Sequence, residues 1–170
     1  MGAGDIISQR KISIGNDDNL DLIYEKMSHL GRDLLMETLP SIIAGTNTRT
    51  PQDVNEVTFG LNITKEEEKI DFTKSSKEIH NLIRGLSSIP GAYCLLNDKR
   101  LKVYQSKLTD IKSKKTPGTI EKLDKTGIYV STKDNLICLT DIKLEGKKRC
   151  LISEFINGIN VNDYIGKVIK

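Results

Sequence analysis

The spacing of apolar positions changes along the chain, and the change predicts an α+β organisation. From residue 20 to residue 42, apolar side chains recur every three or four positions, as on one face of a helix. Gly31 and Pro40 interrupt this stretch, so we predict a pair of helices. Residues 5–14 are predicted to form one strand before them. One strand and two helices cannot bury their apolar faces alone, so this part needs a further surface.

The middle of the chain predicts a linker followed by a short capped helix. Residues 46–72 are polar and show no strong period, so we predict a linker in which Glu66, Glu67 and Glu68 are solvated. Ser75 and Glu78 then stand three residues apart, the spacing of a capping box. Apolar residues recur at helical spacing from residue 79 to residue 86.

Beyond Pro90 and Gly91 the apolar period becomes strand-like, and turn sequences separate five short segments. Five short antiparallel strands are typical of a small β-barrel of the oligonucleotide-binding (OB) kind. A short closing helix is predicted at residues 152–156. The five predicted strands are residues 92–96, 101–108, 118–123, 128–132 and 136–144.

Composition narrows the class of protein. The chain has 170 residues, 37% of them hydrophobic, and a mean hydropathy of −0.34, which suits one domain or one small domain with an appendage. No apolar run approaches the ~20 residues of a membrane span. Cys94 and Cys138 lie within apolar strand patterns, so we expect small buried thiols in a reducing cytoplasm. The three cysteines are far apart, so we expect no bound metal. The chain has two histidines, His29 and His80, and we expect His80 to be solvated.

Charge is distributed unevenly. Residues 1–72 hold 7 Lys and Arg against 13 Asp and Glu, whereas residues 73–170 hold 19 against 10. A small domain with an excess of positive charge suggests a polyanionic partner such as a nucleic acid.

Three groups of cations are the candidate phosphate contacts. The alternative is that they are solvated lysines that protect sheet edges from aggregation. Tyr93, Tyr104 and Tyr129 lie within strand patterns, so packing in the sheet is favoured over stacking on bases. No common catalytic motif occurs in the sequence. The candidate contacts are Lys99, Arg100 and Lys102 at the first hairpin, Lys112, Lys114 and Lys115 in the next loop, and Lys147, Lys148 and Arg149 after the last strand.

Several segments in a fixed order carry a family resemblance. They read "IYEKMSHLGRDLLMETL", "ITKEEEKIDF", "IHNLIRGLSSIPGAYCLLNDKRLKVYQSKL" and "PGTIEKLDKTGIYVSTKDNLICLTDIKLEGKKR". With them, the chain resembles the C-terminal half of bacterial methionyl-tRNA formyltransferases from about Gly4 to about Phe155. Sugar-nucleotide formyltransferases contain a related C-terminal module, but "EGKKR" and "RLKVYQSKL" are more similar to the tRNA enzyme.

The resemblance implies a domain organisation. In the family, a Rossmann-like N-terminal domain binds 10-formyltetrahydrofolate, and an open OB-like β-barrel holds the initiator tRNA. By this resemblance, residues 1–45 are a remnant of the catalytic domain, 46–72 a linker, 73–160 the tRNA-binding barrel and 161–170 a tail.

The resemblance also implies that this chain lacks the catalytic groups. In the family an Asn, a His and an Asp carry out formyl transfer, and the Asn and His belong to sequence upstream of the matched region. The Asp stands in an Asp-x-Gly-Asp motif, where this chain has Gly2; Asp5 matches the second acidic position. We therefore expect a truncated, cytoplasmic formyltransferase that holds initiator tRNA, binds no cofactor and is inactive alone.

Two other interpretations stay open at this point. The predicted helix pair is also consistent with a non-catalytic interaction module, which would dock onto a protein partner, a missing N-terminal half or its own copy. A degraded reading frame with no function is the third interpretation.

Overall fold

The computed structural model describes residues 4–170. The chain divides into a first unit that ends at Ile63 and a second unit, Thr64–Lys170. Gly2, which the resemblance places at the catalytic Asp position, lies outside the described residues.

The first unit contains one long helix where the sequence predicts two. Helix α1 spans Leu20–Ile43 without a break, and the side chain of Asn19 caps it by accepting a hydrogen bond from Leu22 N. The predicted helix pair is therefore wrong. Gly31 costs a helix interior only about 1 kcal/mol, which the helix tolerates. Pro40 lies in the last turn, where its missing N–H removes a single hydrogen bond.

The predicted strand at residues 5–14 is also wrong. In this segment only Ile6 forms a β-bridge, to Thr50, with backbone hydrogen bonds of 2.8 and 2.9 Å. A strand needs a neighbouring strand along its length, and the described part of the first unit offers none. The segment instead contacts α1 through side chains: Ser8 hydrogen-bonds Thr38, and Arg10 pairs with Glu37.

The first unit has no core of its own. No residue from Gly4 to Ile63 is buried. On α1, Leu35, Met36 and Ile43 are 56%, 64% and 78% exposed. The apolar periodicity of this stretch therefore produces a helix whose hydrophobic side chains remain uncovered within the unit.

The second unit is an antiparallel sheet with a few short helices. The five predicted strands and the capped helix are present, with small shifts at their ends, and a two-residue strand is added near the C-terminus. The Ser75–Glu78 capping box is formed in both directions. The elements are α2 (Ser76–Leu86), β1 (Ala92–Leu96), β2 (Lys99–Lys112), β3 (Ile120–Asp124), β4 (Gly127–Val130), β5 (Asn135–Leu144), β6 (Cys150–Leu151) and α3 (Ile152–Phe155), followed by short 3-10 turns at Ile156–Gly158 and Val161–Asp163.

The strands alone leave the sheet open. Their order is β1-β2-β5-β4-β3, with β6 beside β5, and the two outer strands are not paired with each other in the described chain. The C-terminal segment bonds to both sides of this opening. Lys170 exchanges two backbone hydrogen bonds with Leu95 of β1, and Gly166 N donates to Ile120 O of β3. The segment predicted to be a tail is thus hydrogen-bonded to both outer strands.

The end of the predicted linker also belongs to the sheet. Glu68, Ile70 and Phe72 are buried and alternate with exposed residues, as in a strand. Tyr93 N donates to Glu68 O at 3.0 Å, and Ile70 N donates to Tyr93 O at 2.8 Å. The prediction that Glu68 is solvated is therefore wrong: its backbone pairs with β1, and its buried carboxylate is neutralised by Lys65 at 3.1 Å.

Helix α2 covers the inner face of the sheet. Ile79, Ile83 and Leu86 are buried in one cluster with inward-facing residues of all five longer strands. His80 is also buried, with its Nδ1 atom 2.9 Å from the hydroxyl of Ser106. The prediction of a solvated His80 is therefore wrong. The buried face of this short helix is wide enough to include His80, which follows Ile79.

Asp134 ties the start of α2 to the sheet. Its carboxylate accepts hydrogen bonds from Ser76 N at 2.8 Å, Asn135 N at 2.7 Å and the Thr132 hydroxyl at 2.9 Å. These bonds, above all the one from Ser76 N–H, lower the pKa of Asp134 from 3.8 to about 2. The carboxylate is therefore stabilised more in the folded chain than in the unfolded chain.

We predict that Asp134→Asn lowers stability in a pH-dependent way. Because the folded pKa is depressed, the contribution is fully present above the unfolded pKa of 3.8 and is lost as pH falls through about 2. Urea unfolding should show a loss of about 1–2 kcal/mol at pH 6, shrinking toward pH 3. Asp110→Asn, at an exposed position of β2, is the matched control. A deficit that stayed constant with pH would contradict this account.

We also predict that the C-terminal segment is needed for the core. Ile169 is 2% exposed, and a Cβ atom on Gly118 would lie 2.4 Å from the Ile169 carbonyl oxygen. Ile169→Ala should cost about 2–4 kcal/mol in urea unfolding. Val168→Ala, at a neighbouring side chain that is 49% exposed, should cost much less. Equal losses would mean that the segment does not close the core.

Candidate nucleic-acid interface

The first hairpin turns through two residues. Asn97 and Asp98 have φ angles of 51° and 61°, and Leu96 pairs directly with Lys99. Two positive φ angles in a two-residue loop are typical of a type I′ turn, which favours Asn and Asp. Lys99 and Arg100 are therefore the first residues of β2, whereas the sequence predicted that this strand begins at residue 101.

This register places Arg100 and Lys102 on the outward face of β2. Leu101 and Val103 are buried in the core, so the residue between them, Lys102, occupies the opposite face. Lys102 lies opposite Tyr93 of β1 on one side and Lys143 of β5 on the other. Its ammonium group also donates to the Pro90 carbonyl at 2.5 Å. The outward face thus carries a row of one tyrosine and two lysines across three strands.

Lys143 is absent from the candidates drawn from the sequence. It was missed because no other cation adjoins it, whereas the predicted sets are runs of neighbouring cations. The signal that could have found it is the alternation in β5, where buried Ile142 and partly buried Leu144 flank exposed Lys143.

An open groove of about 580 Å³ follows this outward face. Three cationic side chains and two carboxylates line it, which leaves a net positive charge. The Glu145 carboxylate already accepts a hydrogen bond from Arg100 N at 2.9 Å. The lining residues are Leu95, Asp98, Arg100, Lys102, Tyr104, Lys143, Glu145 and Gly146.

Arg149 is engaged within the protein. Its guanidinium group binds both oxygens of the Asp141 carboxylate, with three contacts of 2.7–3.1 Å. It also lies over the ring of Tyr104, 4.1 Å from the ring centre. These contacts set Arg149 apart from the other predicted phosphate contacts, because its charge is already paired with a carboxylate.

A cation lies over the ring of each of the three strand tyrosines, Tyr93, Tyr104 and Tyr129. Arg100 lies 4.6 Å from the ring centre of Tyr93, and Lys122 lies 4.7 Å from that of Tyr129. With Arg149 over Tyr104, one face of every ring is covered by protein. This arrangement favours packing in the sheet over base stacking, as the strand pattern predicted.

The loop after β5 brings a second predicted group to the same end of the sheet. Lys147 N donates to Leu144 O at 2.9 Å, and Glu145 N donates to Arg100 O at 2.8 Å. The exposed side chains of Lys147 and Lys148 therefore follow the strand end that adjoins the start of β2. The first and third predicted groups thus lie at one end of the sheet.

The remaining group lies at the far end of β2. Lys112 is the last of the 14 residues of this strand, so about 40 Å of strand separate it from Lys99. The backbone N–H groups of Lys114 and Lys115 donate to the Glu121 carboxylate at 2.7 and 3.1 Å. Burial raises the pKa of Glu121, but hydrogen bonds from the Ser131 hydroxyl and these N–H groups outweigh it, so the net pKa is lowered.

The described chain provides neither a metal site nor a membrane-spanning helix. Residues 4–170 contain no group of three His, Cys, Asp or Glu side chains placed to hold a metal ion. Burial raises the pKa of the Cys94 thiol to about 12 and also raises that of Cys138. No helix within residues 4–170 is both long enough and apolar enough to cross a membrane.

Comparison with known proteins identifies the family of the second unit. Residues 62–160 match the family model of the formyl transferase C-terminal domain. The chain belongs to this family. The cationic groove and the row of Tyr93, Lys102 and Lys143 therefore lie on a formyl transferase C-terminal domain.

Curated relatives extend the match over nearly the whole chain. The methionyl-tRNA formyltransferase of Staphylococcus aureus strain MW2 is 44% identical over 168 residues, which cover 98% of this chain and 54% of that protein. The methionyl-tRNA formyltransferase of strain Newman gives the same identity and coverage. The resemblance recognised in the sequence is thus confirmed, and the chain spans about half the length of these relatives.

Solved structures with lower identity show the same fold. A variant of HypX from Aquifex aeolicus is 16% identical with a TM-score of 0.72, over 97% of this chain and 30% of that one. HypX in complex with tetrahydrofolic acid is 19% identical with a TM-score of 0.71, over 92% and 28%. WlaRD, a sugar 3N-formyl transferase, is 20% identical with a TM-score of 0.59, over 86% and 51%.

Proposed function

We propose that this chain is the C-terminal part of a methionyl-tRNA formyltransferase and that its second unit binds initiator tRNA in the cytoplasm. In this role it would serve translation initiation by holding the substrate that the whole enzyme formylates. The observation that carries the proposal is the cationic outward face on a formyl transferase C-terminal domain. The 44% identity to methionyl-tRNA formyltransferases favours a tRNA substrate over a sugar nucleotide.

Charge supports a polyanionic partner for the second unit. Residues 64–170 hold 21 Lys and Arg against 14 Asp and Glu, a net charge of +7, whereas residues 1–63 have a net charge of −4. The electrostatic field of this positive charge raises the rate at which RNA associates and strengthens RNA binding at moderate salt. Phosphate contacts of this kind position a nucleic acid without reading its sequence.

The sheet itself suits this role. We propose that the second unit works as an OB-like barrel that is open between β1 and β3 and bridged there by the C-terminal segment. OB folds bind nucleic acids on an outward strand face. The groove described above lies on such a face, formed by β1, β2 and β5.

The cations predicted as phosphate contacts then take different roles. Those at the end of the sheet that carries the groove would contact phosphates directly. Arg149 would act through Asp141 and Tyr104. The lysines at the far end of β2 would meet a second part of a long polyanion, about 40 Å of strand away. The direct contacts at the groove end are Lys99, Arg100, Lys102, Lys147 and Lys148.

The first unit would be a piece of the catalytic domain. Its exposed apolar helix supports this assignment, because such a helix is stable when it packs on a sheet. The formyl donor of the family is 10-formyltetrahydrofolate, and a ligand of that size needs a pocket that buries most of its surface. The groove beside α1 in residues 4–63 is open to solvent and does not fit such a ligand.

We predict a steep salt dependence of tRNA binding. Five phosphate contacts give a slope of about −4 to −5 for the logarithm of the association constant against the logarithm of salt concentration. Filter binding of the full chain to initiator tRNA between 50 and 300 mM KCl measures it. Affinity that is equal at both salt limits would rule out the proposed interface.

A charge-matched pair of variants locates the interface. Replacing Lys99, Lys147 and Lys148 by Met should make the slope shallower by two to three. Replacing Lys77, Lys125 and Lys133 by Met removes the same charge at exposed positions elsewhere. Equal effects of the two triple variants would show that net charge alone, and not this surface, governs binding.

We predict that the 170-residue chain alone binds tRNA without formylating it. By the family resemblance, the catalytic Asn and His are not in this sequence, and Gly2 cannot supply a carboxylate. The assay measures formyl-methionyl-tRNA after incubation with charged initiator tRNA and 10-formyltetrahydrofolate. A parallel reaction adds the N-terminal half of the Staphylococcus aureus relative as a separate polypeptide. Product from the 170-residue chain alone would contradict the assignment.

A further inference from the structure

Two lysines face each other across neighbouring strands without a carboxylate between them. Lys102 of β2 is the direct partner of Lys143 in β5. Directly opposed residues have Cβ atoms about 4.5–5.5 Å apart, and like charges in this position destabilise a sheet. Neither lysine forms an ion pair in the described chain, residues 4–170. The sheet thus carries a local repulsion that an external anion would relieve.

We propose that Lys102 and Lys143 together bind one backbone phosphate of the RNA, and that Arg149 keeps this position available. The inference rests on the proposed function and names the contact within it. A phosphate between two ammonium groups replaces their repulsion by two attractive pairs with charge-assisted hydrogen bonds. Both lysines line the open groove, so an RNA strand can reach them.

Two carboxylates flank Lys143 two residues away along the chain, and Arg149 acts on one of them, Asp141. The other, Glu145, accepts a hydrogen bond from Arg100 N. Asp141 is two residues from Lys143 on the same strand, so the two side chains project from the same face. An unpaired Asp141 would attract the Lys143 ammonium group and compete with a phosphate. The bidentate pair with Arg149 neutralises this carboxylate. Arg149 is therefore a positioning residue, because its charge is paired with Asp141 and not with the ligand.

The surrounding residues hold the groove in shape. Lys102 is fixed at the β1 side by its hydrogen bond to the Pro90 carbonyl. Gly91, which follows Pro90, has φ +82°, and a Cβ atom at this position would lie 3.1 Å from the Tyr104 ring. Arg149 covers that same ring. The position of Lys102 is thus set before any ligand arrives, which lowers the cost of ordering its side chain on binding.

The first test uses Lys143, because it is exposed and has no role in the core. We expect Lys143→Met to reduce the salt slope of initiator tRNA binding by about one and the affinity at 0.1 M KCl about eightfold. Lys143→Arg keeps the charge and should keep the slope. Lys77→Met removes the same charge from an exposed position on α2 and should leave both quantities unchanged.

The second test separates positioning from direct contact. Arg149→Met should weaken binding as Lys143→Met does, because it frees Asp141 to pair with Lys143. Adding Asp141→Asn to Arg149→Met removes that competitor and should restore most of the affinity. Thermal melting of each variant confirms that it is folded before its affinity is compared.

The outcomes separate this inference from the proposed function. If the unmodified chain does not bind initiator tRNA, the proposed function fails. If it binds but Lys143→Met retains full affinity and slope, the lysine pair is not a phosphate position. If Asp141→Asn does not restore binding to the folded Arg149→Met variant, Arg149 has no positioning role.

Discussion

The backbone groups at the two outer strands of the sheet must be satisfied, and the second unit depends on how this is done. An antiparallel sheet with unpaired outer strands exposes a row of N–H and C=O groups and leaves its core open on that side. Here residues 68–70 pair with β1, and the C-terminal segment bonds to β1 and β3. These additions are not regular strands, yet they let Ile70 and Ile169 enter the core.

The outward face follows from the same arrangement. Once Leu101 and Val103 are committed to the core, the two-residue period of β2 leaves Lys102 no direction but outward. The register with β5 then fixes which residue lies opposite. A cationic face is thus a by-product of burying the alternate residues. Its detailed charge balance depends on a residue outside this alternation, Arg149, which follows the strand and reaches back to Asp141.

The sequence predicts elements whose signals are local. The capping box at Ser75 and the strands after Pro90 are present because turn chemistry and apolar period agree there. It fails where tertiary contacts decide. The sequence predicts that Glu68 is solvated, but pairing with β1 buries it. It predicts a helix break at Gly31, yet α1 continues through this residue. Lys143 stands alone in the sequence and joins the groove only through strand register.

The lack of any buried residue between Gly4 and Ile63 has a thermodynamic consequence. Fixing one residue's backbone costs about 1–2 kcal/mol of conformational entropy, and this unit has no interior that offsets the sum. Whatever surface covers Leu35, Met36 and Ile43 must therefore supply that free energy. For this stretch, folding and binding to the covering surface are therefore thermodynamically coupled. A change in the folding equilibrium shifts the affinity for that surface, and a change in the affinity shifts folding.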